Sequence, residues 1–175
     1  MLKRALHLSV LAGGLLLTTA GAASAQGNVN LTATLTGNEE TPAPGLNTGA
    51  FGFAEVGVDS QNQEVTVSLQ IFNLPTGSTA GHIHAGGKGT PGPVILDFVF
   101  PAGRTGDFTL NLRLGRGQFR ARPEIGINSF EDALQAIAAG NGYVNIHTTQ
   151  YPGGEIRGQL VRRGQGQNQQ QQEQQ

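Results

Sequence analysis

The chain has 175 residues, 27 of them Gly and none Cys or Trp, with a formal net charge of −1. That length suits one domain with a real core. The absence of cysteine excludes a disulfide framework, a zinc–thiolate site and a lipidated cysteine anchor. Near-zero charge with scattered Arg argues against a nucleic-acid partner, which needs a concentrated basic face. Glycine at roughly twice its usual share, beside 37% hydrophobic and 13% charged residues, points to a turn-rich β protein.

The N-terminus reads as an export signal. Lys3 and Arg4 precede an apolar run from Ala5 to Ala20, and Ala23-Ser24-Ala25 supplies the small residues of a cleavage site. The run is short for a membrane span and is interrupted by Gly13-Gly14 and Thr18-Thr19. Cleavage is expected after Ala25, with Ala22 as the next choice, so no span remains. Loss of Lys3 and Arg4 leaves nine basic against twelve acidic residues, a net charge of −3.

The strand signals then follow in chain order. Leu31, Ala33 and Leu35 alternate with threonines. Phe51 to Val58 forms a second strand whose uneven phase near Glu55 suggests a bulge, and Asp59-Ser60-Gln61-Asn62 a hairpin loop after it. Val65, Val67, Leu69 and Ile71 make the cleanest alternation. Further strands are expected over His82 to His84, Val94 to Phe100, Phe108 to Leu114, Tyr143 to Thr148 and Glu155 to Val161. One helix interrupts them. Asn128 or Ser129 caps it, Glu131 and Asp132 fill its first turn, Phe130, Leu134 and Ile137 share a face, and Gly140 stops it. The expected domain covers residues 26–163. Gly164 to Gln175, with eight Gln in twelve residues, reads as a disordered tail. The fold class is all-β: an antiparallel sandwich or Greek-key barrel, immunoglobulin-like or superoxide-dismutase-like, with one short connecting helix. Its expected core includes Phe53, Val65, Val67, Leu69, Ile71, Leu110, Leu112, Val144 and Ile146.

Three histidines remain after export. His82 and His84 flank Ile83, so on a strand both project from one face. His147 shares a face with Tyr143 and Asn145, opposite Val144 and Ile146. If Ile83, Val144 and Ile146 point inward, all three imidazoles lie on the other face, and strand pairing gathers them. Three neutral imidazoles with an open position suit copper or zinc; the alternative is a set of polar side chains on a solvated sheet face. Glu40 and Glu155 are candidates to orient an imidazole through its far nitrogen, or else structural carboxylates. No nucleophile elbow, phosphate loop or His-Glu-x-x-His motif occurs, so no catalytic residue is assigned.

Several segments together resemble the chordin (CHRD) domain family: Leu35 to Pro42, Ala80-Gly81-His82-Ile83-His84, Gly92-Pro93-Val94-Ile95, Gly142 to Thr148 and Tyr151 to Gln159. They keep the family's order from about Leu31 to Leu160. The resemblance implies a compact extracytoplasmic β domain. Chordin itself antagonises growth factors, but this chain has one copy and none of chordin's Cys-rich modules, so that role is not carried over. The histidines are also similar to the copper half of copper–zinc superoxide dismutase, without a bridging histidine, a zinc loop or a disulfide. The leading expectation is an exported, non-catalytic binding or structural module with an envelope or extracellular partner. The alternative is a copper or zinc protein, carrier or redox, using His82, His84 and His147. A hydrolase built on Glu40 and Glu155 ranks last.

Overall fold

The computed structural model describes residues 28–163; the expected export signal and Gln-rich tail lie outside the described residues. Nine strands and one helix run in the order β1 (Val29–Thr36), β2 (Phe51–Asp59), β3 (Glu64–Leu74), β4 (Ser78–Ala85), β5 (Val94–Asp97), β6 (Gly106–Leu114), α1 (Phe130–Ala138), β7 (Gly142–Thr148), β8 (Ile156–Gln159) and β9 (Val161–Arg162). They form one antiparallel, barrel-like sheet with the order β5-β4-β7-β8-β1-β2-β3-β6, and β9 pairs beside β1. Phe100, just past β5, meets Phe108 of β6 at 6.1 Å between ring centroids, which brings the two ends of the sheet together.

Period two decides which residues face the core. Val65, Val67, Leu69 and Ile71 of β3 are at most 1% exposed, and so are Ile83, Val144 and Ile146. The helix begins where its capping residues dictate. The Ser129 hydroxyl accepts from the Asp132 amide, while the Asp132 carboxylate accepts from the Ser129 and Asn128 amides. Phe130, Ala133, Leu134 and Ile137 of α1 are buried in the same core. The β2–β3 hairpin is held by Asp59, whose carboxylate accepts from the backbone amides of Gln61 and Asn62.

Two expectations need correction. β2 pairs without interruption with β1 over Phe51 to Val58 and with β3 over Phe51 to Asp59, so it has no bulge at Glu55. Its inward phase is Gly52, Ala54, Val56 and Val58, which turns Phe53 outward, 46% exposed. A shift of one position reverses every side chain on a strand, and Val56 and Val58 outweigh the single aromatic. Phe53 packs instead with Phe51 and Phe72 on the outer surface. Leu110 and Leu112 face inward but are only partly buried. β6 ends the sheet, so a neighbouring strand covers one of its sides and not the other.

Candidate metal centre

β7 is buried along its whole length. Its inner side chains, Val144 and Ile146, lie in the barrel core. Its outer ones, Tyr143, Asn145 and His147, are buried by loops lying over the outside of the sheet. The structure thus carries a second, polar core outside the barrel.

Strand register assembles it. A cross-strand row runs Asp97 (β5), His82 (β4), Asn145 (β7), Arg157 (β8) and Thr36 (β1), each residue opposite the next. One step along, His84 faces Tyr143; one step the other way, Ala80 faces His147. His147 is therefore the diagonal neighbour of His82, within reach of long side chains on one face. One nitrogen from each of His82, His84 and His147 lies within 4.8 Å of the others. Nitrogens bound tetrahedrally to one ion at about 2.0–2.1 Å are about 3.3–3.4 Å apart, so an ion seated here draws the rings together by up to about 1.4 Å.

Backbone carbonyls orient two of the rings. His84 Nδ1 lies 2.9 Å from the Gly92 carbonyl, and His147 Nδ1 lies 2.9 Å from the Pro152 carbonyl. A carbonyl only accepts, so each Nδ1 carries the proton and each Nε2 keeps its lone pair. The Nε2 of His84 is buried with no hydrogen-bond partner. His147 Nε2 faces His82 Nδ1 at 3.0 Å, and His82 Nε2 lies 3.5 Å from a carboxylate oxygen of Asp97. Burial is the largest cause of a lowered pKa at all three rings. Repulsion from the other imidazoles adds to it for His82, and both His82 and His84 are brought to about 4. At neutral pH the cluster is therefore uncharged, with lone pairs available.

Glu40 and Glu155 lie in this polar layer, and their bonds go elsewhere. Glu155 is fully buried and accepts from the hydroxyls of Thr48 and Thr148, both at 2.7 Å, tying the β1–β2 loop to the end of β7. Glu40 lies against Asn145, near Arg157, and its pKa is pushed up to about 7, chiefly by burial. Glu40 Oε1 and Asn145 Oδ1 are both buried without a hydrogen-bond partner. Gly154, at φ +130°, fits over this pair because it has no side chain: a Cβ there would fall within 2.7 Å of both groups. The carboxylate that does approach an imidazole is Asp97. It has no telling spacing from the histidines in sequence; only the β4–β5 register places it. Arg120 holds its other oxygen at 2.6 Å.

Arg157 is 1% exposed and spans the layer. Its guanidinium donates to the Gly87 and Thr90 carbonyls and lies over the Tyr143 ring. Tyr143 stacks in turn on His84, with centroids 4.8 Å apart and planes at 13°. A surface cleft lined by Thr32, Glu55, Ser68 and Asn111 lies on the outer face of β1, β2, β3 and β6 and contains no histidine.

The CHRD domain model matches residues 31–160, nearly the whole described fold. The chain belongs to the CHRD domain family. The His-Ile-His strand, the Tyr-Val-Asn-Ile-His strand and the loops that cover them all fall within the matched segment. No curated protein and no solved structure is found to match the chain. Among the described residues no helix is long and apolar enough to cross a membrane.

Proposed function

We propose that this CHRD domain is an exported, non-catalytic metal-binding module that holds one copper or zinc ion on His82, His84 and His147. The convergence of one nitrogen from each ring within 4.8 Å carries the reading. Neutral rings, two of them oriented through Nδ1 by carbonyls, support it. An all-nitrogen set binds copper(II) more tightly than zinc, following the general order for divalent metals. Copper is therefore the preferred ion where both are present. Residues 1–25, read as an export signal, would deliver the domain to the periplasm or the cell exterior.

Metal analysis of the purified full chain, loaded separately with copper(II) and zinc(II) and then desalted, tests the proposal. The expected result is one ion per chain, lost in the His82→Ala/His84→Ala double variant, with hyperfine coupling to nitrogen in the copper form. Sub-stoichiometric metal, or retention in the double variant, overturns it.

A second reading, an interaction module without metal, draws on the outward cluster of Phe51, Phe53 and Phe72, where Phe53 is 46% exposed. It gains weight if the folded protein takes up neither ion.

A further inference from the structure

The three rings are not equivalent, and the difference lies in where each keeps its proton. His84 and His147 give their Nδ1 protons to the carbonyls of Gly92 and Pro152. His147 Nε2 is therefore a lone pair, and His82 Nδ1 stands 3.0 Å from it. Two lone pairs do not face each other at that distance, so His82 Nδ1 carries the proton and donates it. His82 Nε2 is then itself a lone pair, directed toward an Asp97 oxygen that also only accepts. Their 3.5 Å separation, long for a hydrogen bond, fits that pairing.

From this we infer that metal binding switches the tautomer of His82, its proton leaving Nδ1 and one being taken up at Nε2, with Asp97 accepting the new N–H. The inference rests on the three-histidine metal site proposed above. An ion seated between the rings takes the space of the Nδ1 proton, and His82 then binds through Nδ1 while His84 and His147 bind through Nε2. The ring is neutral before and after, so His82 contributes no net proton to solvent. Asp97 is prepared for its part. Arg120 occupies one carboxylate oxygen at 2.6 Å and leaves the other facing His82, on the directly opposite residue of the neighbouring strand. Asp97 is thus a positioning residue: it selects which nitrogen of His82 meets the metal, and its charge makes the bound ring a stronger donor.

Long-range proton–nitrogen NMR of the ¹⁵N-labelled full chain reads each tautomer directly, with zinc chloride as a diamagnetic probe. Without zinc all three imidazoles are expected to carry the proton on Nδ1. With zinc, His82 alone moves it to Nε2. If zinc shifts the His84 and His147 nitrogens but His82 keeps its Nδ1 proton, the switch is overturned and the metal site stands. If zinc shifts none of them, the site itself is overturned and the switch falls with it. Asp97→Ala is expected to lower zinc affinity 10- to 100-fold, with Asp97→Glu restoring most of it and Arg120→Ala keeping the His82 Nε2–H signal. Should Asp97→Ala fold poorly, Asp97→Asn keeps shape and an acceptor without the charge, and an intermediate affinity is expected. Wild-type affinity in both variants overturns the role given to Asp97.

Discussion

The guanidinium carbon of Arg157 lies 3.5 Å above the centroid of the Tyr143 ring. The contact joins a cation that is 1% exposed to the ring stacked on His84. Arg157 also supplies donors to the carbonyls of Gly87 and Thr90, which sit in the loop between β4 and β5. Lysine has neither the planar fork nor the flat face for both tasks. Arg157→Met and Arg157→Lys are each expected to cost about 1–3 kcal/mol for each buried carbonyl left without its donor, measured by urea unfolding of the metal-free protein. Because Arg157 lowers the pKa of Glu40, either the methionine variant or a displaced lysine raises that pKa further, readable by carboxyl carbon NMR.

Leu69 and Phe53 make a paired test of which residues form the core. Leu69 is 0% exposed in the middle of β3, and Phe53 is 46% exposed on β2. Leu69→Ala loses both transfer energy and cavity contacts and is expected to cost about 2–5 kcal/mol. Phe53→Ala loses outer ring contacts alone, about 1 kcal/mol or less. Equal unfolding midpoints for the two variants would contradict the phase of β2.

The metal-free protein has two opposing pH windows. His82 and His84 have folded pKa values near 4, below their ordinary 6.5, so between those values the unfolded chain binds more protons. Their contribution to stability is present above pH 6.5 and is lost as pH falls toward 4, by a few kcal/mol in total, to order of magnitude. Glu40 works the other way. Its folded pKa of about 7 exceeds the ordinary 4.5, so the folded state holds the extra proton, and stability falls as pH rises from 4.5 to 7. Glu40→Gln removes the second effect. Unfolding measured from pH 4 to 8 should show a steeper gain with rising pH in that variant than in the parent.

The same burial changes the proton competition for metal. Exposed imidazoles surrender an ion as pH drops below about 6.5. With His82 and His84 brought to about 4, release of bound zinc is expected only well below pH 6.5. A zinc titration followed by a colorimetric chelator at stepped pH checks it; release centred near 6.5 would mean that the rings are solvated.

Gly154→Ala is the backbone counterpart. At φ +130° the added methyl is strained, and it meets Asn145 at 2.5 Å and Glu40 at 2.7 Å. A loss of at least about 2 kcal/mol is expected. Gly153→Ala, where a Cβ meets nothing within 4 Å, serves as the control in the same thermal melt.

Much of this was legible along the chain because β-strands write their facing in period two. Val65 to Ile71 showed an inward row, and Ile83, Val144 and Ile146 placed three histidines on the opposite face without any knowledge of the fold. The Ser129 cap and the Phe130, Leu134, Ile137 stripe did the same for α1. Phe53 misled because the small inward residues Gly52 and Ala54 leave little apolar signal beside a large outward ring. Asp97 was invisible for a different reason: its place beside His82 comes from a register between strands separated by a long loop. Glu40 and Glu155 had the right chemistry, but hydroxyls and an amide reach them before any imidazole does. A buried Arg157 has no local signature, since loops distant in sequence close over it.

The four-residue β5 has a further consequence. It carries Asp97 at one end of the sheet, where its far edge meets only the isolated Leu96–Phe119 bridge and the Arg120 amide, whereas the imidazoles stand on β4 and β7, each paired with strands on both sides. Short terminal strands open first in native-state fluctuations. Amide exchange in the β5 segment should therefore outpace exchange in β7, and opening there takes Asp97 away from His82. Asp97 and the histidines of the proposed site thus stand on elements of unequal lifetime, so an ion held there would exchange without the barrel unfolding.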